Sequence, residues 1–179
     1  MKHTLIPVLA AAALLAGCAT TPERVDRHND KGPEVMGLDY RDFNEAVVES
    51  LRSLFEEGTL DRPDGRYVIY VGRVINKTTQ NWETTQLTKG VTIELRKSKK
   101  AVVTAIPPDS DEPGVKPQLI MTGKVSERNI QMTSSKKQTE YYLELELTDC
   151  DPNSPTRGAV FWEGQAPIIK RGSSKTVNW

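Results

Sequence analysis

The sequence predicts a single α+β domain in which a small mixed β-sheet is flanked by helices. Residues 40–55 repeat apolar side chains at three- and four-residue spacing, as one face of a helix does. Residues 67–75 are almost continuously apolar and rich in β-branched and aromatic side chains, which is typical of a buried strand. Residues 140–147 alternate polar and apolar side chains, the period of a half-buried strand.

The first predicted helix begins at Asp39, because aspartate is a good N-cap and Asp42 in the first turn favours the positive end of the helix dipole. Gly58 supplies the stop. The stripe that should face the core consists of Tyr40, Phe43, Ala46, Val47, Ser50, Leu51, Leu54 and Phe55.

The next segments predict a strand, a helix and a second strand. Apolar residues at nearly every position of Tyr67–Ile75 predict a central strand covered on both faces. Residues 76–79 favour turns and helix caps and end it. A second helix is predicted from Asn81 to about Lys97, with Trp82, Leu87, Val91 and Leu95 on one side. Residues 99–106 predict a strand, and Pro107–Pro117 predicts a loop.

The last third of the chain predicts three further strands. Residues 119–125 and 140–147 alternate, and residues 129–138 form a polar hairpin connection into which both strands can extend. After a turn at residues 151–158, a final strand begins at Ala159–Gly164 and can continue toward Ile169. Because a strand–helix–strand unit gives a parallel pair and hairpins add antiparallel strands, the sheet should be mixed.

The N-terminus carries a processing signal. Lys2 and the apolar run Leu5–Ala16 form the basic and apolar regions of a secretory signal. Leu15-Ala16-Gly17-Cys18 resembles the lipobox of bacterial lipoproteins, in which the Cys thiol is diacylated and the signal is cleaved just before it. We therefore expect a signal peptide at 1–17, a lipidated Cys18 with a disordered polar tether at 18–37, and a globular domain at 38–179. The alternative is an ordinary signal peptide followed by a chance cysteine.

Composition argues against several kinds of function. The chain has 24 basic and 24 acidic residues, so it lacks the positive charge that attracts nucleic acid. Its two histidines are His3, in the signal, and His28, in the tether, so the domain lacks the usual catalytic base and the commonest zinc ligand. There is no glycine-rich phosphate loop. We predict that the protein is not an enzyme and holds no metal or cofactor.

Three features leave a second interpretation open. Glu144 and Glu146 can be imagined as a glycosidase pair, but their alternating strand favours a solvated face. The basic residues at 96–100 are most simply a helix end facing the negative dipole, with an anionic partner as the alternative. Cys150 is predicted to be a partly buried thiol, with a redox or nucleophilic role as the less favoured option.

Two positions are candidates for contact with a partner protein. Asn76 lies in the turn after the buried strand, and Trp82 opens the second predicted helix beside it. Tryptophan is enriched at interface hot spots, although core packing is its more common role. Trp162, in the last strand, is a weaker candidate on the same ground.

These features together resemble the LpoB family, on the lipobox, the tether, the first helix, and the strand that ends in Asn76-Lys77-Thr78. The segments Thr122-Gly123-Lys124-Val125 and Phe161-Trp162-Glu163-Gly164 add to the resemblance. It implies a mixed sheet flanked by helices and an outer-membrane lipoprotein that activates a bifunctional penicillin-binding protein. Ala19 after Cys18, where an inner-membrane lipoprotein of diderm bacteria tends to have Asp, implies the periplasmic face of the outer membrane.

The leading hypothesis is therefore a lipid-anchored binding protein that regulates a peptidoglycan synthase by direct contact. Its tether is shorter than that of the well-known activators, which favours the alternative of a non-catalytic adaptor in another envelope complex. A wall hydrolase is a third hypothesis, which the lack of histidine disfavours.

Overall fold

The computed structural model describes residues 35–173, which contain two helices and five strands. In chain order these are α1 (Tyr40–Glu56), β1 (Tyr67–Lys77), α2 (Thr85–Ser98), β2 (Ala101–Thr104), β3 (Leu119–Gln131), β4 (Lys136–Asp149) and β5 (Val160–Ser173). This is the predicted order of elements. No helix among the described residues is long and apolar enough to cross a membrane.

The strands form one mixed sheet in the order β2-β1-β3-β4-β5. β1 runs parallel to both β2 and β3, whereas β4 is antiparallel to β3 and to β5. The unit β1-α2-β2 is the predicted strand–helix–strand crossover, which brings Tyr67 opposite Ala101. The prediction of an α+β domain with a small mixed sheet is therefore confirmed.

Both helices pack on the same face of the sheet. α1 lies against β4 and β5, α2 lies against β1 and β2, and the two helices contact each other. The core between these layers includes Leu51, Leu54, Ile69, Leu87, Leu95, Leu119, Met121, Tyr141, Leu143 and Leu147, all at most 1% exposed. We call the other side of the sheet, which neither helix covers, the open face.

The prediction that β1 is covered on both faces is wrong. Ile75 is 52% exposed, and Arg73 is exposed as well. A β-bulge lies between Val71 and Val74, so the burial pattern shifts along the strand. The apolar run signals a strand correctly, but neither helix packs against its second side.

Several predicted boundaries also move. α2 begins at Thr85 rather than Asn81, so Trp82 lies in the loop before it. β2 covers only residues 101–104 of the predicted 99–106. β3 and β4 extend into the polar connection and leave a turn at residues 132–135, while β5 continues past Ile169 to Ser173.

The start of α1 is fixed by side chains that the sequence identifies. The Asp39 carboxylate accepts hydrogen bonds from the backbone N–H groups of Arg41 (2.8 Å) and Asp42 (3.3 Å), while the Asp42 carboxylate accepts from the Asp39 N–H (2.8 Å). This reciprocal capping box satisfies N–H groups that have no partner within the helix. Asp42 also forms a buried ion pair with Lys170 of β5 at 2.7 Å, which ties α1 to the edge of the sheet.

The ordered domain begins before residue 38. Met36 is 8% exposed, and its carbonyl oxygen accepts a hydrogen bond from the Tyr141 hydroxyl at 3.2 Å. Residues 35–37, which the sequence assigns to the tether, thus lie against the domain because the core offers Met36 an apolar site. The predicted signal peptide, Cys18 and the tether up to residue 34 lie outside the described residues.

Gly164 lies where β5 packs tightly against α1. A Cβ atom there would lie 2.3 Å from the Trp162 ring and 2.7 Å from the Ser50 carbonyl oxygen. We expect Gly164→Ala to lower the free energy of unfolding by about 2 kcal/mol, because overpacking at a rigid contact costs roughly 1–3 kcal/mol. Urea denaturation of the purified domain measures this.

Gly90 of α2 provides the matched control, since its added Cβ would meet only Val47 at 3.6 Å. Gly90→Ala should raise the free energy of unfolding by up to about 1 kcal/mol through helix propensity. Equal effects of the two substitutions would contradict the close α1–β5 contact.

Candidate interaction site

The loop between β1 and α2 is organised by Asn76, one of the two predicted contact residues. The Asn76 side-chain oxygen accepts hydrogen bonds from the N–H (2.9 Å) and the hydroxyl (2.8 Å) of Thr78. Its amide NH₂ donates to the Gln80 carbonyl at 2.8 Å. Such local bonds to the backbone compete with helix formation, which explains why residues 78–83 form a loop.

Trp82, the second predicted contact residue, lies in the same loop. Its indole N–H donates to the Thr78 hydroxyl at 3.2 Å, and its ring packs on Phe43 of α1 with 4.7 Å between ring centroids. The side chain is half-buried. Asn76 is the penultimate residue of β1 and does not lie in the predicted turn, because the strand continues to Lys77. Its amide NH₂ donates to the Trp82 carbonyl at 3.4 Å, so the structure brings the two residues together. A role of either in partner binding stays a prediction.

Two further side chains, those of Gln80 and Glu127, anchor this loop, and the sequence predicts neither role. The Gln80 amide NH₂ donates to the Tyr141 hydroxyl at 2.6 Å, and its oxygen accepts from the Leu38 N–H at 3.1 Å. The Glu127 carboxylate accepts from the N–H and the hydroxyl of Thr79, both at 2.8 Å. Gln80 belongs to no helical or strand pattern in the sequence, and the alternation around Tyr141 predicts that its side chain is buried but not which group it contacts.

The ionisation of the anchoring groups follows from their surroundings. Burial raises the pKa of Tyr141 to about 12, and the nearby charges of Glu127 and Asp42 add to the effect. Burial would also raise the pKa of Glu127, but hydrogen bonds from Thr79 and Asn129 outweigh it and lower the pKa. The pair therefore consists of a neutral phenol beside an ionised carboxylate at neutral pH.

The open face carries a shallow groove of about 530 Å³ that crosses four strands. The strand register places its side chains in two rows. From β3 to β5 the first row holds Thr122, Glu146 and Glu163, and from β1 to β5 the second holds Ile75, Lys124, Glu144 and Gln165. Arg73 lies in the β-bulge of β1 and lines the β1 end of the groove, and its Nε donates to the Thr84 hydroxyl at 3.5 Å. Glu144 and Glu146 thus lie on the polar face that their alternation predicts.

Charges of the two signs are unevenly distributed across this groove. Lys124 forms an ion pair with Glu144 at 2.9 Å, and the Ser126 hydroxyl donates to the same carboxylate at 3.1 Å. The hydrogen bond and charge of Glu144 raise the pKa of Lys124. Glu146 accepts a hydrogen bond from the Thr148 hydroxyl at 2.9 Å. The β1 side of the groove is basic, and its β4–β5 side is acidic.

The other residues that the sequence singles out are packed in the domain or paired with neighbouring side chains. Trp162 is 5% exposed and donates its indole N–H to the Ser53 hydroxyl at 3.0 Å, so it is a core residue. Burial raises the pKa of the Cys150 thiol, which makes it a weaker nucleophile. In the basic run, Lys97 pairs with Glu94 and Lys100 pairs with Asp61. Among residues 35–173 no group of three or more potential ligands is placed to hold a metal ion.

Comparison with known proteins places this two-layer α+β domain in a family. The sequence profile described as "Peptidoglycan-synthase activator LpoB" matches residues 42–112 and 112–168, which is more than half of the 179-residue chain. The chain therefore belongs to the LpoB family of peptidoglycan-synthase activators. Comparison with curated protein sequences finds no match.

Several solved structures are similar to this chain. The LpoB C-terminal domain from Salmonella enterica is 14% identical, with a TM-score of 0.49 over 71% of this chain and 98% of that chain. The LpoB C-terminal domain from Escherichia coli is 13% identical, with a TM-score of 0.46 over the same shares. A PelC dodecamer from Paraburkholderia phytofirmans is 21% identical, with a TM-score of 0.39 over 63% of this chain and 77% of that chain.

The buried phenol of Tyr141 predicts a loss of stability at high pH. Both the folded and the unfolded states keep the proton below the ordinary pKa of 10.0, so the full stability is present there. Between pH 10 and about 12 the unfolded chain ionises first, and the free energy of unfolding should fall. Urea denaturation at several pH values measures this slope.

Tyr141→Phe is the comparison variant for this prediction, because it keeps the ring and removes the ionisable group. Its stability should be lower at neutral pH, where the bonds to Gln80 and Met36 are lost, and should fall less steeply above pH 10. Identical slopes for the two proteins would contradict a buried, protonated Tyr141.

Proposed function

We propose that this protein is an outer-membrane lipoprotein, acylated at Cys18, that binds and activates a bifunctional penicillin-binding protein from the periplasmic side. The observation that carries the proposal is the family match over residues 42–168, which includes most of α1, all of α2, the first four strands and much of β5. In this proposal the protein acts by contact and contributes no catalytic group of its own.

The N-terminal sequence supports the proposed location. Leu15-Ala16-Gly17-Cys18 has the residue types and order of a lipobox, and Ala19 follows the cysteine. Each buried methylene of an acyl chain contributes roughly 0.8 kcal/mol, so several chains hold a protein firmly on a membrane. Residues 19–34 would then connect the anchor to the domain and reach about 55 Å at full extension.

The domain supports a contact mechanism through two surfaces. The loop at residues 78–83 is fixed by Asn76 and Gln80, so it can be recognised without first being ordered, which saves conformational entropy on binding. The open face presents a groove with charge of both signs. Both surfaces are accessible in the described domain.

The alternative is a non-catalytic adaptor of another envelope complex, and the short tether favours it. Sixteen residues, 19–34, separate Cys18 from the described domain, and their reach limits how far from the membrane the domain can act. Binding of the full-length protein to purified synthases separates the two hypotheses.

The test is a pull-down with the full-length acylated protein in detergent and each bifunctional synthase of the same organism. We expect one synthase to be retained and its glycan polymerisation rate to rise several-fold in the presence of the lipoprotein. If no synthase is retained, and another envelope protein co-purifies from membranes instead, the activator hypothesis is wrong and the adaptor hypothesis replaces it.

Substitution of Cys18 tests the anchor. Cys18→Ala should remove the protein from the outer-membrane fraction and abolish the mass added by acylation, because the acyl chains provide the attachment. Cys150→Ala is the control for loss of any thiol and should leave the protein in the outer membrane. Retention of the Cys18→Ala protein in the outer-membrane fraction would contradict lipid anchoring at this position.

A further inference from the structure

The acidic end of the groove contains two like charges in direct opposition. Glu146 of β4 and Glu163 of β5 are register partners in an antiparallel pair, and both line the groove on the open face. Directly opposed residues have Cβ atoms about 4.5–5.5 Å apart, and like charges at this spacing destabilise a sheet. The pair therefore destabilises the pairing of β4 with β5 in the unbound protein.

The described residues compensate this repulsion only in part, through the charge of Lys124, which acts on both glutamates. The nearest cation of the groove, Lys124, already forms its ion pair with Glu144, and neither Glu146 nor Glu163 forms an ion pair within residues 35–173. Arg73, in the β-bulge of β1, lines the opposite end of the groove from these two glutamates. At about 4.8 Å per strand, its backbone is roughly 14 Å from that of Glu163.

The chemistry of the row indicates which ligand would neutralise it. Ca²⁺ takes six to eight oxygen ligands, and among residues 35–173 no group of three or more potential metal ligands includes this pair. A Lys or Arg side chain can bind between two carboxylates with charge-assisted hydrogen bonds. Arg73 at the β1 end of the groove would repel a free cation but attract a carboxylate, so the groove is complementary to a protein surface that carries both signs.

We propose that this groove is the docking site for the partner synthase, which inserts a Lys or Arg side chain between Glu146 and Glu163 and places an acidic side chain near Arg73. This inference rests on the proposed function and adds the contact face. It explains why the chain keeps two opposed glutamates where one basic residue would stabilise the sheet. Residues that cost stability in the free protein are expected at sites of function.

Glu163→Gln tests the proposal because stability and binding should change in opposite directions. Removal of one charge relieves the repulsion, so the folding equilibrium constant should rise about two- to five-fold. The same change removes a partner of the incoming cation, so the affinity of the full-length acylated protein for the purified synthase should fall on the order of tenfold at low salt. Both differences should shrink in about 1 M salt, which screens exposed charges.

Glu144→Gln is the matched control, since Glu144 lies on the same face of β4 but is neutralised by Lys124. It should not raise stability and should change the affinity by less than twofold. If the synthase binds the wild-type protein and the Glu163→Gln protein equally well, the docking site is wrong while the proposed function stands. If the synthase does not bind the wild-type protein, the proposed function itself fails.

Light scattering of the free proteins adds one further outcome. The proposal expects the wild-type and Glu163→Gln proteins to be in the same oligomeric state. A wild-type dimer that dissociates on this substitution would make a second copy of the chain the occupant of the groove, and would overturn the assignment to the synthase.

Discussion

The packing of both helices against one face of a five-stranded sheet is the constraint on which the rest of this molecule depends. Leu51 and Leu54 of α1 and Leu95 of α2 are fully buried against that face, and their transfer from water contributes roughly 1.5–3 kcal/mol for each large side chain. Because 139 described residues supply only these two helices, the second face of the sheet keeps its charged rows in solvent. The same arrangement that stabilises the fold therefore exposes the groove.

The sequence predicts the helices and strands well, because their spacing patterns and caps involve residues close together in the chain. The period of two at residues 140–147 places Tyr141, Leu143 and Leu147 in the core, and the capping box at Asp39 starts α1 where the sequence indicates. Coverage of a strand is not a local property. β1 is apolar on both sides, yet only the position of α1 and α2 decides which side is buried, and a single strand carries no information about that position.

The candidate surfaces likewise combine features that the local sequence indicates with contacts that only the fold creates. Asn76 and Trp82 stand out as residue types, and the structure brings the end of β1 that carries Asn76 against the loop that carries Trp82. The residues that hold this loop, Gln80 and Tyr141, are 61 positions apart, so no sequence spacing relates them. The opposition of Glu146 and Glu163 likewise depends on the register of β4 against β5. The turn between the strands and a β-bulge near it set this register, and the sequence alone does not give it.

The central claim is that the open face, and not the helical layer, contacts the synthase. A photoreactive amino acid placed at Thr122, an exposed position in the groove, tests it against one at Val48, which is 48% exposed on α1. With full-length acylated protein and the purified synthase, a cross-link at Thr122 and none at Val48 is the predicted result. Cross-linking at Val48 without cross-linking at Thr122 would contradict the account.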